Sequence, residues 1–178
     1  NVKEELDVPG EFWYDEATQE LFVWPNVTHV TARSMGPPSV EMVVPVLQTL
    51  IRFTGTAKSP VKGVTIQGVS FRDAAYTFME RFGVPSGGDW SLYRGGAIFI
   101  EGAERLTLSN GLYKRLDGNA IFLSGWNRNV SIVDNEMVFI GDNAIASWGK
   151  TQEWDGRGGD QPRFTRIANN YVHELAFF

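Results

Sequence analysis

The chain has 178 residues, no cysteine and a formal net charge of −5, and 43% of its residues are hydrophobic. These values predict an ordinary globular protein that is long enough to bury a sizeable core. The lack of cysteine excludes disulfides, iron–sulfur clusters and cysteine-based zinc sites. The acidic balance argues against nucleic acid or an anionic membrane as a partner, and no apolar run is long enough to predict a membrane span.

The first 60 residues are predicted to form a small β-hairpin or cap module with lead-in strands. Bulky residues at 12–14 and 21–23 flank a polar stretch at 15–20, which is typical of a hairpin with a longer loop. Residues 40–54 are mostly apolar and rich in β-branched side chains, with Pro45 near their start. This composition favours strands that lead into the main fold over a helix.

An internal repeat dominates residues 61–178. The segment RLTLSNGLYKRLDGNAIFLSG from Arg105 matches NVSIVDNEMVFIGDNAIASWG from Asn129 at an offset of 24 residues, which places Leu108 on Ile132. Each copy holds three short apolar strands separated by turns, and related segments begin at Gly63 and Phe164. Three short strands per repeat predict an all-β solenoid of the right-handed parallel β-helix type.

The repeat also aligns polar residues in its first turn. Asn110, Asp134 and Asn169 fall at equivalent positions, and we expect them to stack as a structural hydrogen-bonded ladder. The repeat is still running at the last residue, and an open coil needs a cap. We therefore expect a longer protein in which the remainder of the chain, or a neighbouring chain, packs on this open end.

Two insertions interrupt the repeat, at about 74–95 and at 149–163. Loops of this length in a compact protein are usually functional or disordered, and the aromatic content of the first insertion favours order. Both fall near the third strand of a coil. We expect them to rise as two walls over one face of the helix.

The chain resembles a known family at this point. The segments PGEFWYDEATQELFVWP, PVLQTLIRFTGT and PVKGVTIQGVSFRD, followed by LDGNAI and GDNAI, resemble in that order the N-terminal half of right-handed parallel β-helix proteins of the pectin-lyase-like class. More narrowly, they resemble the β-helical glycoside hydrolases of the xylosidase and fucosidase/xylanase type. The resemblance implies a β-helix, but it does not fix the activity, because such helices host hydrolases, lyases, esterases and structural proteins.

Two aspartates are the first candidates for catalysis. In such helices the groove usually runs where the glycine-containing turn meets the third strand, and Asp117 and Asp142 occupy that corner on consecutive coils, one position out of step. Coils about 4.8 Å apart would give roughly the 5–5.5 Å spacing of the two carboxylates in retaining glycosidases. The alternative is that both residues only form turns and bond the local backbone.

Further candidates lie near the same corner. Glu101 follows a third strand, Asp73 lies in the first coil, and His173 and Glu174 lie in the fourth. A calcium-dependent lyase fits less well, because its only approximation is Asp155, Asp160 and Arg157 in a glycine-rich loop. No motif for a metal or another cofactor is present.

The remaining candidates are four tryptophans for sugar binding and two sequons for glycosylation. Flat rings can stack on sugars, and the candidate residues in or beside the loops are Trp90, Trp126, Trp148 and Trp154, with loop or core packing as the alternative. Asn26 and Asn129 begin glycosylation sequons. Together these features predict a secreted glycoprotein that hydrolyses an extracellular polysaccharide with two carboxylates. The alternative is a non-catalytic β-helix that binds glycan or builds an extracellular assembly.

Overall fold

The computed structural model describes residues 2–25, 42–84, 91–152 and 155–176, and these residues are almost entirely β-strands and turns. The chain divides into two compact units, Asn1–Met42 and Val43–Phe178. Within the described ranges, no helix has the length and apolar character needed to cross a membrane.

The first unit contains a short 3-10 helix (Lys3–Glu5) and an antiparallel hairpin of β1 (Phe12–Asp15) and β2 (Glu20–Val23). The Asp15 carboxylate accepts a hydrogen bond from the backbone N–H of Ala17 at 2.9 Å and so fixes the turn. Trp13 and Phe22 pack across the strands, with ring centroids 5.3 Å apart. The hairpin predicted from the sequence is therefore confirmed.

The second unit consists of short strands. The predicted lead-in strand is confirmed at its end as β3, and the described residues before it, 42–50, contain no helix. The strands in chain order are β3 (Ile51–Thr54), β4 (Val61–Lys62), β5 (Thr65–Gln67), β6 (Ser70–Ala74), β7 (Phe82–Gly83), β8 (Leu92–Tyr93), β9 (Ile98–Glu104), β10 (Thr107–Ser109), β11 (Leu112–Leu116), β12 (Ile121–Arg128), β13 (Ser131–Val133), β14 (Glu136–Ile140), β15 (Ile145–Trp148), β16 (Lys150–Gln152), β17 (Asp155–Asp160), β18 (Pro162–Arg163), β19 (Arg166–Ala168) and β20 (Tyr171–Leu175).

Most of these strands form three parallel sheets. Two are four-stranded, in the orders β5-β10-β13-β19 and β6-β11-β14-β20, and the third has the order β3-β9-β12-β15, with β4 and β18 beside it. The chain adds one strand to each sheet in turn and then returns to the first. The protein is therefore all-β with stacked parallel sheets, an arrangement that is compatible with a β-helix or another solenoid.

The strand registers follow the repeat. Leu108 pairs with Ile132 at the expected offset of 24, and Ile132 pairs in turn with Ile167 across the second insertion. On the other side, Leu108 pairs with Ile66 across the first insertion. Equivalent apolar residues therefore stack in columns, as the sequence alignment predicted.

These columns form the core. Alternate residues of each strand face inward, and the central coils bury theirs completely, as in Ile132 and Met137. Their partners one coil later, Ile167 and Val172, are 55% and 39% exposed. Among the described residues no strand pairs with the far edges of β19 and β20, so a stacked neighbour on both sides is what buries these positions.

The predicted polar ladder is formed in one step of the stack. Asn110, Asp134 and Asn169 are exposed and adopt left-handed backbone angles, with φ of 52°, 58° and 54°. Asn169 donates to the Asp134 carboxylate at 2.5 Å, but among the described residues no hydrogen bond joins Asp134 to Asn110. The prediction is therefore right for one step of the stack and wrong for the other.

The buried ladder is built by the next residue along. Asn135 accepts a hydrogen bond from the Gly111 backbone at 2.9 Å, and its amide donates to the carbonyl of Leu108 and to the side chain of Asn170. Asp134, the left-handed residue of the turn, interrupts the alternation of inward and outward side chains, so the next side chain, Asn135, points inward. The inward amide then satisfies backbone groups that would otherwise be buried without partners.

Each of the two insertions contains a short antiparallel pair of strands. The first contains the antiparallel pair β7–β8, and the second contains the antiparallel pair β16–β17, so Asp155 and Asp160 lie in a strand. Leu92 of β8 joins a second apolar cluster with Phe99, Phe122 and Ala146. These residues alternate with the core residues of β9 and β12, so the first insertion covers the outer face of that sheet.

Candidate functional site

The repeat brings Asp117 and Asp142 to the same corner. Asp117 follows β11 and Asp142 follows β14, whose last residues, Leu116 and Ile140, are paired. The backbone N–H of Asp142 donates to the Gly118 carbonyl at 3.0 Å, which is the one-position offset expected from the sequence. The two carboxylates therefore lie on consecutive coils, close enough for the charge of one to act on the other.

The surroundings of Asp142 disfavour the charged form of its carboxyl. One of its oxygens, Oδ1, accepts a hydrogen bond from the Asn143 amide at 2.7 Å. The other, Oδ2, is buried and has no hydrogen-bond partner among the described residues. Burial raises the pKa of the Asp142 carboxyl, and the negative charge of Asp117 raises it further.

Asp117 is held by the first insertion. Its Oδ2 accepts hydrogen bonds from the backbone N–H of Thr77 and from the Thr77 hydroxyl, the latter at 3.2 Å. Thr77 is buried and packs against Gly118, where an added Cβ would come within 2.6 Å of its hydroxyl. The insertion thus fixes the orientation of this carboxylate and also covers part of it.

The pair therefore combines two unlike environments. Asp142 is desolvated and incompletely hydrogen-bonded, whereas Asp117 accepts two hydrogen bonds through one oxygen. Neighbouring carboxyl groups in different environments can divide into an acid and a base.

Glu101 belongs to a different cluster, on the outer face of β9. Its carboxylate accepts hydrogen bonds from the Ser124 hydroxyl at 2.6 Å and from the Lys150 ammonium at 2.7 Å. Burial acts to raise the pKa of Glu101, but the hydrogen bonds from Lys150 and Ser124 outweigh it and lower the pKa overall. Arg94 donates to the same hydroxyl at 3.0 Å. The cluster ties the two insertions to the sheet.

Asp73 forms an ion pair. Arg115 donates two hydrogen bonds to its carboxylate, at 2.6 and 3.1 Å. These bonds lower the pKa of Asp73, although burial acts weakly in the opposite direction. Because Ala74 pairs with Leu116, Asp73 lies two register positions before Asp117 and is not brought to the acid pair.

His173 and Glu174 lie on β20 and interact mainly with each other. The His173 Nδ1 contacts the Glu174 carboxylate, and its Nε2 lies 3.3 Å from the Glu136 carboxylate. The His173 ring also stacks on Tyr171, with centroids 4.4 Å apart. Leu175 pairs with Ile140, so both candidates precede the corner that holds Asp142.

Two of the four candidate tryptophans, Trp126 and Trp148, lie within the described residues, and both are occupied by packing. Trp126 lies in a bulge of β12, and the Arg128 guanidinium is 4.9 Å from its ring. The Arg94 guanidinium lies 4.1 Å over Trp148, whose ring also fills the space beside Gly83. Trp90, Trp154 and Asn26 lie outside the described residues. Asn129 is exposed, with φ of 54°, at the turn between β12 and β13.

Several buried polar residues around the site were missed by sequence reasoning. Asn143 donates to the Asn119 side chain at 2.9 Å, and Asn119 in turn donates to the Gly95 carbonyl at 2.8 Å. The coincidence of two asparagines at the repeat offset was the available signal. Buried Asn127 accepts a hydrogen bond from Ala103 in the β12 bulge, which the repeat does not predict.

The described residues contain no group of three or more histidine or acidic side chains arranged to hold a metal ion. Comparisons of the chain with protein-family models, curated proteins and solved structures find no match.

Proposed function

We propose that the chain is a right-handed parallel β-helix of the pectin-lyase-like class that hydrolyses glycosidic bonds of an extracellular polysaccharide. The fold part of the proposal is supported by strands that enter three parallel sheets in a fixed cycle. It is also supported by the sequence resemblance to β-helical glycoside hydrolases. The hydrolytic part depends on the pair Asp117 and Asp142.

The observation that carries the proposal is the buried, unpartnered Oδ2 of Asp142 beside a second carboxylate. Glycoside hydrolysis needs a protonated carboxyl to donate to the leaving oxygen and a second carboxylate to act at the anomeric carbon. Burial and the charge of Asp117 both favour the protonated form of Asp142. Asp142 is therefore assigned as the general acid and Asp117 as the nucleophile.

The reaction follows from these roles. An Asp117 oxygen attacks the anomeric carbon, and the glycosidic C–O bond breaks as the Asp142 proton passes to the leaving oxygen. Asp142 is then a carboxylate and takes a proton from water, whose oxygen attacks the same anomeric carbon. This releases the sugar, frees the Asp117 carboxylate and restores the proton on Asp142. The hydrogen bonds from Thr77 hold Asp117 in position throughout.

An extracellular location belongs to the same proposal. The sequon at Asn129 lies on an exposed turn, where a glycan would point away from the sheets. An extracellular polysaccharide would also be accessible to a secreted protein. Expression in a eukaryotic secretory host, followed by mass spectrometry of Asn129 with and without an N-glycosidase, tests the modification.

The experiment for hydrolysis uses single isosteric changes. Neutral and acidic plant and algal polysaccharides are incubated with the protein, and new reducing ends are measured. Asp117→Asn and Asp142→Asn are each expected to lower the rate about 100-fold or more, because general acid–base groups contribute roughly that factor. Asp134→Asn, an exposed change in the turn between β13 and β14 and so at a different corner of the coil, serves as the matched control. Equal activity of all three variants would refute the assignment.

A second candidate is a non-catalytic β-helix that binds glycan or assembles with other chains. It is favoured by the cover that Thr77 places over Asp117 and by the occupied ring of Trp148. The exposed inward residues of β19 and β20, such as Ile167, could also pack against another chain. Sugar binding without release of reducing ends from any polysaccharide would favour this candidate over the hydrolase.

A further inference from the structure

A groove of about 620 Å³ lies between residues 45–49 and the turn at 75–80, within the second unit. Its lining is mixed in character, with an apolar edge and several groups that can form hydrogen bonds. The polar and aromatic side chains that line it are Gln48, Arg52, Tyr76, Glu80 and Tyr93.

Backbone and side-chain hydrogen bonds hold the two sides of the groove together. The Ala75 N–H donates to the Leu47 carbonyl at 2.9 Å. The Gln48 amide donates to the Tyr76 carbonyl at 3.0 Å and to the Glu80 carboxylate at 2.9 Å. A groove held in this way needs little ordering when a ligand binds, which favours affinity.

The polar groups of the groove converge on Tyr93. Burial raises the pKa of the Tyr93 hydroxyl, the charge of Glu80 raises it further, and the charge of Arg52 opposes them. Arg52 and Glu80 therefore both lie near this hydroxyl, yet no ion pair joins the two in the described part of the chain. The Arg52 guanidinium stacks 4.4 Å from the Phe99 ring and makes one long hydrogen bond, 3.5 Å, to Thr49.

Two short connections join the groove to the neighbourhood of Asp117. Tyr76 directly precedes Thr77, whose N–H and hydroxyl donate to Asp117. On the other side, the Tyr93 carbonyl accepts a hydrogen bond from Asn119 at 2.9 Å, two residues after Asp117. The residues that line the groove are therefore adjacent to the residues that contact or follow Asp117.

We propose that the groove is a subsite for a neutral sugar unit of the chain that Asp117 and Asp142 cleave, an inference that rests on the proposed function. Tyr76, 65% exposed, offers a ring face on which the C–H face of a sugar can stack. Arg52, Gln48 and Glu80 supply donors and acceptors for neighbouring hydroxyl groups. The opposite charges of Arg52 and Glu80 balance, which favours a neutral unit over a uronic acid.

The test measures binding separately from hydrolysis. Isothermal titration calorimetry on the Asp142→Asn background, which slows turnover, uses xylohexaose and cellohexaose as neutral probes and hexagalacturonate as the acidic probe. Tyr76→Ala is expected to weaken binding of a neutral probe about three- to ten-fold, the range for loss of one aromatic contact. Glu80→Gln is expected to weaken it about ten-fold through loss of a charged acceptor.

Tyr171→Ala is the matched control, because Tyr171 is 64% exposed and lines a separate groove over the turns of Asn110 and Asp134. Unchanged binding by this variant, with weaker binding by Tyr76→Ala, supports the subsite. Loss of binding in Tyr171→Ala alone, preference for hexagalacturonate, or no binding of either neutral probe would overturn it. Circular dichroism of each variant confirms that the fold is retained.

The outcomes also separate the subsite from the proposed function. Binding that depends on Tyr76, without hydrolysis by the unmodified chain, leaves a sugar-binding groove and removes the hydrolase. Hydrolysis that depends on Asp142, with the same KM in the unmodified chain and in Tyr76→Ala, keeps the hydrolase and removes the subsite.

Discussion

The surroundings of Asp142 lead to a specific expectation for stability. The change Asp142→Asn keeps the size of the side chain and retains an oxygen that can accept from Asn143. It replaces the buried, unpartnered Oδ2 by an amide donor beside the Asp117 carboxylate. The substitution is therefore expected to stabilise the fold at neutral pH, although it is also expected to lower the rate of hydrolysis about 100-fold or more.

The magnitude follows from the partial burial of the carboxyl. An unpaired buried polar group costs about 1–3 kcal/mol. Asp142 is only partly buried, and solvent screening reduces the effect of its charge, so the low end of about 1 kcal/mol is expected at pH 7. For a chain of this size, that gain corresponds to a rise in Tm of about 2–4 °C.

The sign of the pH dependence is also determined. Folding raises the pKa of Asp142 above the ordinary aspartate value of 3.8, so the folded state favours the protonated form. The stability that the protonated Asp142 carboxyl contributes is therefore full below pH 3.8, and it is lost as the pH rises through the raised pKa. The advantage of the asparagine variant should therefore be near zero at pH 3.5 and reach its full size above the raised pKa.

Urea unfolding of the unmodified chain and the variant, followed by tryptophan fluorescence from pH 3.5 to pH 8, measures this difference. Asp134→Asn is the control, because its carboxylate is exposed and accepts from Asn169. An Asp142→Asn variant that is less stable than the unmodified chain at pH 7, or whose advantage does not change with pH, would refute the reasoning.

Two further changes test the packing of the coils. An added Cβ at Gly102 (φ +69°) would lie 2.0 Å from the Gly55 backbone, whereas one at Gly63 (φ +66°) would meet nothing within 4 Å. Gly102→Ala is therefore expected to lower the free energy of unfolding by at least about 3 kcal/mol. Gly63→Ala should lower it by only about 1–2 kcal/mol, through backbone strain alone. Equal losses for the two variants in urea unfolding would contradict the close contact at Gly102. Asn135→Ala should cost about 3 kcal/mol, because it leaves the Gly111 N–H and other buried polar groups unpaired, and a cost below about 1 kcal/mol would show that water replaces the amide.

Much of the second unit could be predicted because its repeat encodes strand pairing directly. Matching apolar residues such as Leu108 and Ile132 must occupy the same column if each coil is to bury its face on the next. The register therefore followed from the sequence even across insertions of different length. The hairpin was predicted in the same way, from bulky residues on both sides of a polar turn.

The errors arose where backbone conformation decides which face a side chain occupies. Alternation assigns a strand residue to one face, but a left-handed residue such as Asp134 changes the sequence of faces and directs Asn135 inward. Likewise, Phe99 and Phe122 alternate with core residues, and only the position of the first insertion explains their burial on the outer side. Neither feature is visible in the apolar pattern alone.

In the candidate site, the repeat determines where the two aspartates lie, and the first insertion determines how their surroundings differ. The repeat places Asp117 and Asp142 on consecutive coils, which is why the sequence could pair them. A solenoid that stacked identical corners would also give the two carboxylates identical surroundings, and two equal acids cannot divide the roles of donor and nucleophile as readily. The first insertion removes this equality, because Thr77 donates to Asp117 while Oδ2 of Asp142 has no partner among the described residues. In the proposed mechanism, the two aspartates therefore owe their different roles to the segment that interrupts the repeat.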